Sequence, residues 1–120
     1  MDVGRPVKKV EVIFKPQKKF KLKKFVNFFI KKNQVQRQQF LNKKITPSQI
    51  DLVVEIVINF LKGRLSPDYR TLQFLNRCKA FMRELVSKST SHKVKKKLLQ
   101  TVKGLHVLNL VIPLLIAALK

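Results

Sequence analysis

ITPSQIDLVVEIVINFLKG, residues 45–63, is the stretch on which the fold turns. Thr46 offers a side-chain oxygen at an N-cap position, and Pro47 suits the first helical position because its missing N–H would be unbonded there anyway. Gln49 stands where a capping box needs an amide, and Ile45 and Ile50 flank the cap at the spacing of a hydrophobic staple. Helical periodicity continues to Lys62, with Ile50, Val53, Val54, Val57, Ile58 and Leu61 on one face and Leu52, Ile56 and Phe60 on another, and Gly63 is placed to cap the end. A helix that is apolar on most sides belongs at the centre of a domain. The spacing therefore predicts a central helix with others packed around it.

Toward the carboxyl end, Ser66, Pro67 and Asp68 repeat the start signal. Leu72, Leu75, Cys78, Met82, Leu85 and Val86 then carry one helix to about Ser87, with Arg70, Arg77 and Arg83 on its other side. Ser89, Thr90 and Ser91 offer an N-cap to a short helix containing Val94, Leu98, Leu99 and Val102. Its exposed face is read as Lys93, Lys95, Lys96 and Lys97, and its end is set at Gly104, read as a second capping glycine. Residues 105–119 are apolar apart from His106 and Asn109, with Pro113 interrupting the run. As a helix this segment spans about 22 Å, short of a hydrocarbon core of about 30 Å. Three readings of it stay open: a core helix, a self-association or partner-docking segment, and a membrane-inserting tail. Leu108, Val111, Ile112, Leu115 and Leu119 are the candidates for oligomerisation or membrane contact.

Toward the amino end, Phe20, Leu22, Phe25, Val26, Phe29 and Ile30 recur at three- and four-residue spacing, with Lys21, Lys23, Lys24, Lys31 and Lys32 elsewhere on the wheel. That predicts an amphipathic basic helix. The glutamine-rich stretch 33–42 is open, with Val35 able to extend the helix and Phe40 and Leu41 packing locally. Pro6 and Pro16 break any earlier helix, and the weak alternation over 10–14 decides little, so residues 1–19 are expected to be an extended basic arm. The organisation is then an arm (1–19), a basic helix and polar linker (20–44), a helical domain (45–104) and an apolar terminal helix (105–120). The fold class is all-α, with four to five helices.

The 120 residues suffice for one small domain, and a hydrophobic content of 45% can supply its core. Lysine and arginine number 27 against six acids, a formal charge of +21. Such a chain repels itself, and its context must supply phosphates, acidic lipid headgroups or an acidic protein surface. Cys78, the only cysteine, excludes an internal disulfide, and with His92 and His106 it makes no metal-ligand spacing. The scattered acids form no constellation with a nucleophile, so neither an enzyme nor a cofactor is expected. Residues 1–24 lack the apolar run of a secretory signal, which points to an intracellular, nuclear or intravirion setting.

Nucleic acid, with DNA favoured, is the leading partner. The candidate phosphate ligands are Lys8, Lys9, Lys15, Lys18, Lys19, Lys21, Lys23, Lys24, Lys31 and Lys32, then Arg70, Arg77 and Arg83, then Lys93, Lys95, Lys96 and Lys97. Lysine, a point charge, dominates over arginine, which suits sequence-independent attraction better than bidentate reading of bases. A sharper alternative is a helix-turn-helix through Gly63 with Arg70 and Arg77 toward the major groove. Tyr69 and Phe74 are read as packing residues rather than base stackers. A second class of function is a capsid-associated structural or membrane-active protein using the apolar tail.

Asn59, Leu61, Gly63, Leu65 and Ser66, then Leu72, Lys79, Arg83 and Leu85, then Lys88, Ser91, Lys95, Leu99, Gln100, Gly104 and Leu105 before an apolar terminus, form an ordered series. It resembles a small basic protein of Polinton-like (Maverick) and adintovirus-type DNA elements over residues 57–120. Lys103, Gly104 and Leu105 stand where that pattern has Gly-Gly-Phe. The resemblance implies a virion component, similar in kind to the DNA-condensing core proteins of adenoviruses, located in the virion interior and host nucleus with capsid proteins as neighbours.

Overall fold

A computed structural model describes residues 16–119, with side chains from 19 to 118. The weak alternation at 10–14 and most of the basic arm lie outside the described residues. All regular elements are helical: α1 (Pro16–Ile30), α2 (Gln34–Gln39), a π-helical turn (Phe40–Lys44), α3 (Pro47–Leu61), α4 (Tyr69–Arg77), α5 (Lys79–Val86), α6 (His92–Leu99) and α7 (Val102–Leu119). The all-α class is as expected, but the described residues form seven α-helices instead of four to five. Pro16 starts α1 rather than blocking it, because the first helical position needs no N–H, so the helix begins inside the expected arm.

α3 is the central element, packed against α1, α5, α6 and α7. Its start matches the sequence in detail: Gln49 N donates to Thr46 Oγ1 at 3.2 Å, and Thr46 N donates to Gln49 Oε1 at 2.9 Å. Ile45 and Ile50 are both buried in the core. Its end is a Schellman motif, with Arg64 N bonded to Asn59 O and Gly63 N to Phe60 O, each at 2.9 Å, and Gly63 at φ +73°.

Three departures have local causes. Asn33 caps a separate helix through a second capping box with Gln36, so Val35 lies 65% exposed on α2 instead of extending α1. The wide turn after it closes with Ile45 N to Phe40 O at 3.0 Å and delivers Phe40, Leu41 and Ile45 to the core together. The expected helix over 67–87 is broken at Cys78 (φ −99°, ψ 9°) into α4 and α5, and its N-cap is Asp68. Leu75, Cys78, Met82 and Leu85 stay buried across the break, so the apolar face remains continuous and the sequence carries no trace of it.

α6 ends at Leu99, before Gly104. Gly104 is no capping glycine: it lies in the first turn of α7, without positive φ, where a Cβ would stand 2.5 Å from Leu98 O and 2.8 Å from Leu99 Cα. It is glycine because two helix ends cross there. Thr101 joins them, donating Oγ1–H to Leu98 O at 2.7 Å and accepting Gly104 N–H at 3.0 Å. With this earlier end, α6 turns Lys95 and Leu99 inward, and Val94 and Val102 are exposed instead of packed. α7 runs through Pro113, which sits on its exposed side, and Leu105, Val107, Leu108, Val111, Ile112 and Leu115 are buried.

Candidate nucleic-acid interface

Charge segregation begins in the sequence: no acid occurs between Glu11 and Asp51 or after Glu84. α1, α2, the π turn, α6 and α7 therefore carry cations without a single carboxylate. The fold packs these elements together, α1 and α6 each against α7 and α6 against the π turn. The acids of the described residues sit on α3, at the α4 cap and on α5 (Asp51, Glu55, Asp68, Glu84). His92 Nε2 lies 2.7 Å from Asp51 Oδ1, a contact that ties α6 to α3.

On α1, Leu22, Phe25, Val26 and Phe29 are buried, and Lys19, Lys21, Lys23 and Lys24, with Lys31 just after the helix, are exposed. Ile30, expected inside, is 41% exposed. The α1–α2 junction forms an open groove of about 540 Å³ lined by Lys24, Asn27, Phe28, Lys31, Lys32 and Gln36. Lys32 Nζ lies 4.3 Å from the centre of the Phe28 ring. Arg37 holds the junction shut from the inner side. Its Nε and Nη2 donate to the last carbonyls of α1, Phe29 O and Ile30 O, both at 3.2 Å, and its Nη1 donates to Asn109 Oδ1 of α7 at 2.8 Å. Asn109 Nδ2 in turn donates to Gln34 Oε1 at 2.9 Å. The sequence reading does not pair Arg37 with Asn109, because the two are separated by 72 residues.

On α6, Lys93 and Lys97 are exposed and Lys96 is half-buried, but Lys95 is only 8% exposed. The four-lysine face expected from sequence is therefore a three-lysine face. The π turn adds exposed Lys43 and Lys44 beside it, held by Gln38 Nε2 to Gln100 O (3.0 Å) and Gln100 Nε2 to Asn42 O (3.1 Å). Those two lysines escaped the sequence reading, which gave stretch 33–44 no fixed structure and so no neighbours. Lys96 and Lys97 also lie in the last turn of α6, where cations are favoured by the helix dipole whatever else they bind.

Arg70, Arg77 and Arg83 are all exposed on α4 and α5. The connection 62–68 is longer than the three- or four-residue turn of a helix-turn-helix, and α3 packs mainly on α5, not α4. Asp68 accepts the Thr71 N–H at 2.8 Å, and that bond holds its carboxyl below the ordinary value of 3.8. Tyr69, read as a packing residue, is 73% exposed, whereas Phe74 does pack, against the His106 ring at 4.4 Å.

The candidates for oligomerisation or membrane contact, Leu108, Val111, Ile112 and Leu115, all lie in this chain's own core. No single helix among the described residues is long and apolar enough to cross a membrane; α6 and α7 together pass by length and composition but are bent by 86°. Among the described residues no group of three or more His, Cys, Asp or Glu could hold a metal ion. Lys8, Lys9 and Lys15 and the side chains of Lys18 and Leu119 lie outside the described residues. Compared with known proteins, the chain matches no family model, no curated protein and no solved structure.

Proposed function

We propose that this chain is a non-enzymatic, sequence-independent DNA-binding and condensing protein, a virion component of a DNA virus or virus-like element working in the virion interior and host nucleus. The observation that carries the reading is that the acid-free elements α1, α2, the π turn, α6 and α7 form one contiguous packed set, with exposed lysines on α1, the π turn and α6. A surplus of cations without interspersed carboxylates is self-repelling, and a polyanion relieves the repulsion while releasing its own counterions. Lys19, Lys21, Lys23 and Lys24 on α1 and Lys31 just after it, with Lys43, Lys44, Lys93, Lys96 and Lys97 on the π turn and α6, are the phosphate ligands of this reading, and Lys18 in the first turn of α1 and Lys8, Lys9 and Lys15 before it extend the set. Arg70, Arg77 and Arg83 add outlying contacts. The resemblance of residues 57–120 to a small basic protein of Polinton-like elements supports the virion setting.

A membrane-active role has less support, since the apolar residues it would use are spent on the core. The test is competition between unrelated duplexes. Equal displacement by random, A·T-rich and G·C-rich DNA, with light scattering that rises as DNA charge is neutralised, is the expected outcome. One sequence displacing the others by orders of magnitude, or no binding of any, contradicts the proposal.

A further inference from the structure

Phe20 and Phe28 are 68% and 43% exposed on a helix whose apolar face is already complete in Leu22, Phe25, Val26 and Phe29. The two rings are eight residues apart with Lys24 midway, so all three share one face of α1 at i, i+4 and i+8. Phe28 also lines the groove with Lys24, Asn27, Lys31 and Lys32. The Phe40 ring meets it edge-on at 5.2 Å, and with the Lys32 ammonium above it this fixes how the Phe28 ring is presented.

Exposed aromatic rings among lysines, one of them lining a groove, have the composition of a single-strand platform, where bases stack on rings and cations follow the backbone. The spacing decides against a duplex. Eight helical residues rise about 12 Å, whereas stacked bases in a strand are about 3.4 Å apart, and paired bases offer no free face to a ring. A strand touching both rings has splayed, unpaired bases. A lipid surface fits less well, because an interfacial helix sinks a continuous apolar face into the bilayer, and the continuous apolar face of α1 is turned into the protein.

We propose that this stripe of α1 is a track for single-stranded nucleic acid, with Phe20 and Phe28 stacking on unpaired bases and Lys24, Lys31 and Lys32 holding the phosphates between them. The proposal rests on the nucleic-acid reading above and narrows it, since every base has a π-face and the track needs no sequence.

The experiment is fluorescence anisotropy with labelled oligothymidine, an abasic strand of the same phosphate count and a hairpin duplex, for the full chain and for Phe20→Leu and Phe20→Leu/Phe28→Leu. Phe20 is 68% exposed and outside the buried core, so the single variant is expected to fold even if the double one does not, and a thermal melt reports on both. The expected result is oligothymidine affinity weakened about five-fold or more in each variant, with abasic and duplex affinity changed by less than about two-fold. Variants that bind oligothymidine as the parent does overturn the track, as does an equal loss on the abasic strand. Variants that lose only binding to anionic phosphatidylserine vesicles overturn it too and assign the rings to lipid. A parent chain that binds none of the three nucleic acids overturns the DNA reading itself, which distinguishes that failure from failure of the track.

Discussion

Gly104→Ala isolates the crossing of α6 and α7. The added methyl meets Leu98 O at 2.5 Å, Leu99 Cα at 2.8 Å and Leu99 O at 2.9 Å, all backbone atoms, so no side chain can swing away and the helix ends must separate. Overpacking of this kind costs about 1–3 kcal/mol, and three contacts this short place it near the top. Alanine returns up to about 1 kcal/mol of helix propensity, leaving a net loss of roughly 2 kcal/mol. For a chain of this size that lowers Tm by about 8 °C, measured by circular dichroism melts. Gly63 is the control with the opposite cause. Nothing lies within 4 Å of its virtual Cβ, and its φ of +73° alone disfavours alanine, by about 1 kcal/mol. Asparagine should therefore be milder than alanine at 63 and harsher at 104. A Gly104→Ala protein that melts at or above the parent temperature refutes the close approach.

Other consequences are as direct. Arg37→Ala removes the donor to Asn109 Oδ1 and Ile30 O and leaves Phe29 O only the Lys32 N–H, and urea unfolding should show a loss of about 2–3 kcal/mol; Arg37→Lys should recover little, lacking the fork that spans three acceptors. Lys95→Met should melt at the parent temperature or higher and leave DNA affinity unchanged, since Lys95 is buried without an ion-pair partner among the described residues. The Asp68 carboxyl is held low by the Thr71 N–H. Its stabilising cap is thus fully present above the unfolded value and is lost as pH falls through the lower folded one. Stability measured from pH about 5 down to 2 should fall more steeply for the parent than for Asp68→Asn, which keeps an uncharged acceptor at the cap.

What the sequence made legible was local. The Thr46 capping box, the Gly63 cap and the apolar wrap of α3 each depend on residues within one or two turns and are present in the structure, as is the core face of α1 in Leu22, Phe25, Val26 and Phe29, though not in Phe20 or Ile30. What escaped it depends on distant partners. Gly104 was misassigned because two helix ends crossing leave the same letter as a helix stop. Lys95 reads as exposed when α6 is extended to Gly104, because that pattern puts Val94 and Val102 on the inner face. The break at Cys78 keeps the apolar spacing intact and so leaves no mark. For the candidate interface, the sequence shows two basic clusters, on α1 and α6, but not that the π turn sets Lys43 and Lys44 beside α6.

Salt dependence of binding to random-sequence duplex DNA tests most directly the proposal that the acid-free, packed elements neutralise phosphates. For the parent chain the logarithm of affinity should fall linearly with the logarithm of salt concentration, at about 0.9 per phosphate contacted, and Lys93→Ala/Lys96→Ala/Lys97→Ala should reduce that slope by up to about 2.7. A salt-independent affinity, or a triple variant with the parent's slope and affinity, would contradict the account.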